Sequence, residues 1–216
     1  MTSLKNRLFQ AASLLIVALM IPLHAAAQEA SLEAPDALMR RISAEVLDIA
    51  QNDPAIKRGD ITRIAKVIEE KIMPHVDFDK TTSLTVGRFW RQATPAQRTE
   101  LSKQFHNLLF HTYANAMSKV KEGSTLEVQT LRIRPETTDA VVNTRIRVPK
   151  NPEPIPLSYR LEKQADGWKV YDISVLGAWL VESYRTTFTN EIERNGIDGL
   201  IRTLREKNEG LAKGSS

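Results

Sequence analysis

Cysteine is absent from all 216 residues of the sequence. No disulfide framework can form within it, although an exported chain could have used one. A thiol nucleophile, a zinc–thiolate site and a lipid-modified cysteine are excluded for the same reason. The fold must therefore be held together by its hydrophobic core alone.

Familiar catalytic motifs are also missing. The sequence contains no GxGxxG, GxxxxGKS/T, GxSxG or HExxH pattern, so the nucleotide, hydrolase and zinc sites built on those motifs are not indicated. His106 and His111 lie five residues apart, whereas two histidines on one helix share a metal ion at a spacing of four. No metal site and no cofactor are predicted.

The first residues have the layout of a secretory signal peptide. Lys5 and Arg7 form a basic start, residues 8–23 are mostly apolar, and Ala25-Ala26-Ala27 supplies small residues for cleavage. The apolar run is shorter than the ~20 residues that a comfortable membrane span needs. We expect cleavage after Ala27 and export of the remaining chain to the periplasm as a soluble protein.

The exported part has little excess charge. The formal charge of the whole sequence is +4, and the leader of residues 1–27 holds two basic residues and no acidic residue, which leaves +2. Without a concentrated basic stripe this balance does not favour nucleic acid as a partner. The length predicts one domain over residues 28–208, and residues 209–216 are predicted to be a flexible tail.

Helical periodicity dominates the front half of the chain. Apolar residues recur at helical spacing over residues 35–51 and again over residues 61–72. Asn52-Asp53-Pro54 breaks the chain between these segments, and Asp60 is a candidate cap for the second helix. Two amphipathic helices are predicted here.

A further helix is predicted from Pro95 to about Val120. Thr94 can cap it, Pro95 suits its first position, and Gln97 can reach back to close a capping box. A short helical piece over residues 79–90 is predicted to precede it. That piece ends in the aromatic pair Phe89-Trp90, which either anchors two helices or forms part of a pocket wall.

After Gly123 the apolar period changes from 3.6 to 2. Residues 138–148 and 155–161 alternate between apolar and polar side chains, which predicts strands with one wet face. Residues 126–134 also suggest a strand, and the change of phase within it predicts a bulge near Thr130.

The next strand, predicted over residues 168–175, carries apolar side chains on both faces. Trp168 and Val170 fall on one face by strict alternation, and Tyr171, Ile173 and Val175 fall on the other. A strand covered on both sides is expected. Two helices are predicted to follow, over residues 177–194 and 197–207, so the order of elements indicates an α+β fold.

Asp172 lies within this strand and has two possible roles. A buried carboxylate must be hydrogen-bonded or have a raised pKa. It could bond to backbone groups or to an arginine at the junction of sheet and helix. Alternatively, it could be a general base in an apolar pocket.

Two long stretches resemble the MlaC family, also called toluene-tolerance auxiliary proteins. They are VGRFWRQATPAQRTELSKQFHNLLFHTYANAM, residues 86–117, and GWKVYDISVLGAWLVESYRTTFTNEIERNGIDGLIRTL, residues 167–204. Their order, the leader before them and the total length all agree with this resemblance. One departure is the pair Ala178-Trp179, where a smaller pair is expected in many relatives, so Trp179 affects the predicted pocket shape.

The resemblance implies a periplasmic phospholipid carrier without enzymatic activity. Proteins of this family move lipid between an outer-membrane lipoprotein–porin complex and an inner-membrane ABC transporter with its membrane-anchored substrate-binding subunit, and so maintain outer-membrane lipid asymmetry. The implied fold is a curved antiparallel sheet wrapped by helices. It is related to the NTF2-like shape, has N-terminal helices and encloses an apolar cavity.

The predicted pocket draws on the capped helix, the strands, the Phe89-Trp90 pair and the helix after residue 177. The residues predicted to line it are Phe89, Trp90, Leu109, Tyr113, Met117, Val142, Ile146, Leu157, Tyr159, Tyr171, Ile173, Val175, Trp179, Leu180, Tyr184 and Phe188. The same apolar stripes are also what a fully packed core would show.

Two other classes of function remain open at this point. An NTF2-like cavity can host an isomerase or hydratase acting on an apolar small molecule, with Asp172 or Tyr171 as the acid–base group. A purely structural periplasmic adaptor is the third possibility.

Overall fold

The structure is a computed structural model and describes residues 33–214. The predicted leader, its cleavage point after Ala27 and the last two residues lie outside the described range. The helices are Pro35–Asn52 (α1), Pro54–Lys57 (α2), Ile61–Val67 (α3), Phe78–Val86 (α4), Pro95–Tyr113 (α5) and Leu180–Gly214 (α6). The strands are Thr125–Val128 (β1), Asp139–Arg147 (β2), Ile155–Gln164 (β3), Gly167–Val175 (β4) and Ala178–Trp179 (β5).

Shorter helical segments link these elements. A π-helix continues α3, and 3₁₀-helices flank α4 and follow α5. Their bounds are Ile68–Ile72 for the π-helix and Met73–His75, Gly87–Arg91 and Ala114–Lys119 for the 3₁₀-helices.

Local capping explains where the front helices begin. Asp53 ends α1 and caps α2 by accepting hydrogen bonds from the N–H groups of Ala55 and Ile56. The Asp60 side chain accepts from the N–H of Arg63 and so caps α3. The predicted chain break and the predicted cap at Asp60 are confirmed, because both depend only on neighbouring residues.

The capping box at the start of α5 is also confirmed. The Thr94 side chain accepts a hydrogen bond from the N–H of Gln97, and the Gln97 side chain accepts one from the N–H of Thr94. The α-helix ends at Tyr113 and continues as a 3₁₀-helix to Lys119. The single helix predicted to end near Val120 is therefore an α-helix followed by this tighter 3₁₀ segment.

The sheet is an antiparallel meander in the order β1-β2-β3-β4-β5. Together with the surrounding helices it confirms the predicted α+β fold. The bulge predicted near Thr130 is wrong, because β1 ends at Val128 and only the N–H of Gln129 continues the pairing, to the carbonyl of Asn143.

A bulge lies instead at Tyr171 in β4. Arg160 pairs with Asp172 and the next residue, Leu161, pairs with Val170, which leaves Tyr171 as an extra residue. Directly paired residues share a face of the sheet, so the bulge brings Ile173 to the same face as Val170. The predicted separation of these two residues onto opposite faces is therefore wrong.

Both faces of β4 are covered, but the second face is polar. Asp172 and Ser174 are each 3% exposed, and their partners across the pair are Arg160 and Ser158. The apolar face packs against α1 in a cluster of buried residues. That cluster consists of Leu38, Met39, Ile42, Val128, Ala140, Val142, Leu161 and Trp168.

A second core joins α4, α5 and α6. The Phe105 ring lies at its centre, with ring centroids 5.0 Å from Phe188 and 5.2 Å from Tyr184. α6 is kinked at Gly196, whose φ of 71° and ψ of 179° are not helical. The predicted division into two helices is confirmed there, but the second part continues past Lys207 to Gly214. Whether residues 209–216 act as a flexible tail stays a prediction.

Candidate functional site

An apolar chamber lies between the sheet and the helices that cover it. We call it the sheet-side chamber; its volume is about 180 Å³. The residues that line it are Met39, Ile42, Ile72, His75, Val76, Phe78, Thr81, Leu109, Tyr159, Val170, Tyr171, Asp172, Ile173 and Leu180. α1 thus forms one wall, and β3 and β4 form the opposite wall.

A second apolar chamber lies next to the first, between α1, α5 and the π-helix. We call it the helix-side chamber; its volume is about 300 Å³. It is lined by Val46, Ile68, Ile72, Met73, Val76, Phe78, His106, Leu109, Phe110, Tyr113, Ala114 and Met117. The two chambers share Ile72, Val76, Phe78 and Leu109, which form the wall between them.

Three of these four wall residues come from the short segment 72–78. Val76 forms an isolated parallel bridge with Val170 of β4. The Asp77 carboxylate caps α4 by accepting from the N–H of Lys80 (2.9 Å) and also accepts from the side-chain amide of Gln164 (2.7 Å). These contacts position Phe78 at the first turn of α4, where its ring packs between the chambers.

Both chambers have walls that are almost entirely apolar, because the polar groups beside them bond to the protein. The Thr81 hydroxyl donates to the Tyr171 carbonyl (2.8 Å). Burial raises the pKa of the Tyr159 phenol, whose hydroxyl lies beside the Ser43 and Thr144 side chains. An apolar ligand would therefore meet few polar atoms inside.

Asp172 is the most buried acidic group of the site. Its carboxylate accepts hydrogen bonds from the N–H groups of Ile173 (2.9 Å) and Val181 (3.1 Å). It also pairs with the Arg160 guanidinium at 3.1 Å. Burial outweighs these contacts and raises the pKa of the carboxyl.

The geometry matches the structural role considered for Asp172, since it bonds both to backbone and to an arginine at the junction of sheet and helix. The N–H of Val181 belongs to the first turn of α6 and would otherwise lack a partner. Asp172 thereby fixes the start of α6, and Leu180, the first residue of that helix, lines the sheet-side chamber.

The histidines occupy different surroundings. His75 lines the sheet-side chamber, and its burial lowers the pKa of its imidazole. His106 lines the helix-side chamber, where its ring meets Phe78 edge-on and lies 3.5 Å from Glu69. Across residues 33–214, no group of three or more His, Asp or Glu side chains is arranged to hold a metal ion.

Part of the predicted pocket lines these chambers. Tyr159, Tyr171, Ile173 and Leu180 line the sheet-side chamber, Tyr113 and Met117 line the helix-side chamber, and Leu109 lines both. The remaining predicted residues, which line neither chamber, are Phe89, Trp90, Val142, Ile146, Leu157, Val175, Trp179, Tyr184 and Phe188.

Several of these other residues have clear packing partners. Tyr184 and Phe188 pack on Phe105, and Phe89 and Trp90 flank the same helical core. Val142 is fully buried between α1 and the sheet. Trp179 stacks on the Arg160 guanidinium at 3.9 Å. Any contact between these residues and a ligand stays a prediction.

The predicted set omitted the walls supplied by α1 and by residues 68–78. Met39, Ile42 and Val46 belong to the apolar stripe of α1, and Ile72 and Met73 stand just before the helix break at Pro74. The stripe and the break are visible in the sequence. The unfilled space beside them is not, because it depends on how far apart the elements pack.

No helix within the described residues has the length and apolar character needed to cross a bilayer.

Comparison with known proteins gives one family. The family model described as MlaC protein matches residues 40–206. The chain is 23% identical over 177 residues to the intermembrane phospholipid transport system binding protein MlaC of Haemophilus influenzae, covering 80% of this chain and 81% of that protein. It is 28% identical over 130 residues to the toluene tolerance protein ttg2D of Pseudomonas putida, covering 58% and 57%.

A solved structure is similar over most of the chain. It is the phospholipid-binding protein from Ralstonia solanacearum in complex with a phospholipid. The TM-score is 0.76 and the sequence identity is 38%, with 82% of this chain and 98% of that chain covered.

Proposed function

The chain belongs to the MlaC family, and from this premise we propose that it is a periplasmic phospholipid carrier. In this proposal it binds phospholipid by its acyl chains and moves it without chemical change. The observation that carries the proposal is the pair of adjoining apolar chambers between the sheet and the helices. The phospholipid bound by the similar Ralstonia solanacearum protein supports it.

Acyl-chain burial supplies ample binding energy for this role. A two-chain phospholipid carries roughly 30 methylenes, and each contributes about 0.8 kcal/mol when it leaves water. The gross gain exceeds ~20 kcal/mol, near the ceiling for noncovalent affinity before ordering costs are subtracted. A carrier of this kind needs no dedicated headgroup site, which agrees with the scarcity of polar atoms in the chamber walls.

We propose carriage rather than catalysis because the buried carboxylate that could act as a general base has structural partners. The Asp172 carboxylate bonds to two backbone N–H groups and to Arg160. A general base needs a carboxylate free to reach the substrate proton.

The proposed partners are those of an intermembrane transport route. We propose that lipid passes between an outer-membrane lipoprotein–porin complex and an inner-membrane ABC transporter with a membrane-anchored substrate-binding subunit, which would maintain outer-membrane lipid asymmetry. The name of the Haemophilus influenzae relative, a binding protein of an intermembrane phospholipid transport system, supports this route.

Export is part of the same proposal. Cleavage after Ala27 would leave a domain over residues 28–208 followed by a tail over residues 209–216. Intact-mass measurement of the periplasmic protein should then find Gln28 at its N-terminus. Retention of the uncleaved chain in the cytoplasm under ordinary expression would contradict export.

Organic-solvent extraction of the purified periplasmic protein tests the carrier proposal. Mass spectrometry of the extract should find phospholipid in stoichiometric amount. An extract without lipid, together with turnover of an apolar small molecule, would favour the isomerase or hydratase alternative instead.

A further inference from the structure

We propose that the turn between β4 and β5 is a membrane-contact site, which inserts the Leu176 side chain into the headgroup region of a lipid bilayer. We call the exposed residues 175–178 the apolar tip. The inference rests on the proposed function for its purpose, because a lipid carrier must come close to the membranes that it serves. The surface itself lies outside both chambers.

The apolar tip is unusual in its exposure. All four of its residues, Val-Leu-Gly-Ala, are exposed. Leu176 is 71% exposed, more than any other large apolar side chain of the described residues, and Tyr113 follows at 47%. Single apolar residues scattered on a surface need no explanation, whereas contiguous apolar surface often marks a site of protein or membrane contact.

Backbone strain shows that the protein keeps this leucine at a cost. Val175 pairs with Ala178, so residues 176 and 177 form the two-residue turn of a hairpin. The φ of Leu176 is 54°, a conformation that favours Asn over leucine in such a turn. Strained residues cluster at functional sites. Because the Leu176 side chain is exposed, its function is to be sought in contact with another molecule.

A second turn lies beside the apolar tip. Residues 148–154 join β2 to β3, and the N–H of Leu176 donates to the carbonyl of Pro156 at 3.1 Å, which places both turns at one end of the sheet. Lys150 in the second turn is exposed and has a φ of 66°. In the described part of the chain, Lys150 and Leu176 are the two non-glycine residues with a positive φ. Both unfavourable conformations therefore occur at this end of the sheet.

Composition and shape favour a lipid surface as the partner. Residues 173–181 contain no charged side chain, and Trp179 beside the tip is half-buried. Tryptophan prefers the interface between membrane and water. The long side chain of Lys150 can direct its ammonium toward lipid phosphates while its stem stays against apolar surface. A turn projects from the sheet, so Leu176 can enter a bilayer without a groove to receive it.

The apolar tip is small enough for the contact to be reversible. Its exposed valine and leucine offer far less apolar surface than a myristoyl chain, and a single myristoyl chain gives only marginal, reversible membrane binding. A carrier must leave each membrane after it has made contact. Weak binding therefore suits the proposed function better than a stable anchor would.

The apolar tip is also connected directly to a wall of the sheet-side chamber. Trp179 completes β5, and the next residue, Leu180, begins α6 and lines that chamber. Leu180 follows Leu176 by four residues, and four residues of chain span at most about 14 Å. A bilayer in contact with the tip would therefore lie near the space proposed for the cargo.

The first test locates the contact with a fluorescent label, because a chain without cysteine accepts one labelled position at a time. Leu176→Cys and Val141→Cys each carry an environment-sensitive nitrobenzoxadiazole dye. Val141 is 43% exposed and lies near the start of β2, at the opposite end of the sheet. Both proteins are loaded with phospholipid beforehand, so that the chambers are already occupied.

Vesicles of phosphatidylethanolamine and phosphatidylglycerol should shift the emission of the dye at position 176 to shorter wavelength. Spin-labelled phospholipid in the same vesicles should quench that emission. The dye at position 141 should show neither change.

The second test uses the unlabelled side chain and measures vesicle partition coefficients by sedimentation. Leu176→Asn removes the apolar group and suits the positive φ, so it should fold and bind vesicles about tenfold more weakly than the wild type. Leu176→Trp keeps an interfacial side chain and should bind at least as strongly as the wild type. Val141→Asn is the matched control, since it places the same amide at another exposed apolar position and should leave binding unchanged.

Thermal melting of Leu176→Asn separates lost contact from lost folding. A variant that melts no lower than the wild type and yet partitions more weakly supports the membrane contact. Equal partition coefficients for the two proteins, or unchanged emission at position 176, would overturn it. Wild-type protein that ignores vesicles, but loses affinity for a protein partner on Leu176→Asn, would assign the tip to a protein groove instead.

Failure of this inference is distinguishable from failure of the proposed function. Stoichiometric phospholipid in the wild-type extract, without any response to vesicles at position 176, would overturn the membrane contact and leave the carrier proposal standing. Vesicle binding through Leu176 by a protein whose extract holds no phospholipid would support the contact and overturn the carrier proposal.

Discussion

Asp172 shows at the scale of one residue how a buried carboxylate organises the wall of a chamber. Its hydrogen bonds join β4 to the first turn of α6, and its ion pair with Arg160 lies on the polar face of the sheet. The Arg160 guanidinium also stacks on Trp179. Trp179, which stands where a smaller residue is expected in many relatives, thus covers the Arg160–Asp172 ion pair and lines neither chamber.

Titration of Asp172 should be measurable in the pH dependence of stability. Because its pKa is raised, the native protein keeps this proton to a higher pH than the unfolded chain does. Its contribution to stability is therefore full below the unfolded pKa of about 4 and is lost as the pH rises through the native pKa.

Asp172→Asn removes that titration. The free energy of unfolding of the wild type minus that of the variant, measured by urea unfolding at several pH values, should fall as the pH rises above about 4. A difference that stays constant or grows with pH would show that burial does not raise the pKa of this carboxyl above its unfolded value.

A charged substitution in the chamber wall should distinguish a ligand cavity from a packed core. Ile173 is half-buried and lines the sheet-side chamber, so the carboxylate of Ile173→Glu can keep some water. We expect a folded protein without bound phospholipid. Val142→Glu is the control at a fully buried core position, where an unpaired charge costs several kcal/mol and should prevent folding.

Circular dichroism and lipid extraction on both variants decide this point. A folded Ile173→Glu protein that still carries phospholipid would mean that Ile173 does not face the cargo. Unfolding of Ile173→Glu to the same extent as Val142→Glu would mean that the sheet-side chamber is part of an ordinary core.

At the scale of elements, the turn between β4 and β5 contains an unfavourable residue. Leu176 has a φ of 54° and Gly177 a φ of 88°, the combination of a type I′ turn, which favours Asn followed by Gly. The Leu176 side chain is 71% exposed, so little packing offsets its backbone strain. A leucine held at this positive φ destabilises the folded protein by about 1 kcal/mol or more.

Leu176→Asn should therefore stabilise the protein by about 0.5–1 kcal/mol, which corresponds to a rise in Tm of roughly 1–4 °C for a domain of this size. Leu176→Ala is the matched control, because it removes the same exposed side chain without favouring a positive φ. Equal Tm values for the two variants would show that strain at this turn is negligible.

The elements also show which features a sequence can predict. The capping box of Thr94 and Gln97 was predictable because its partners are three residues apart. The bulge at Tyr171 was not, because it exists only in the pairing of β4 with β3, and strict alternation misassigned the faces on either side of it. In the candidate site, too, local patterns could be predicted and features that depend on packing could not. Leu109 and Ile173 could be predicted as apolar wall, whereas the role of residues 68–78 depends on a gap between packed elements.

At the scale of the whole molecule, the protein consists of a sheet and a helical layer that leave apolar space between them. α1 packs on the sheet through one cluster of buried residues, while α4, α5 and α6 form another around Phe105. The two chambers lie where these cores meet. Under the proposed function, this space holds the apolar cargo.

A crystal structure of the protein purified together with its natural cargo tests the central claim most directly. We predict phospholipid whose acyl chains lie in the apolar chambers between the sheet and the helices, with the headgroup in water. Chambers that stay empty and closed, with lipid absent or bound only to the outer surface, would contradict it.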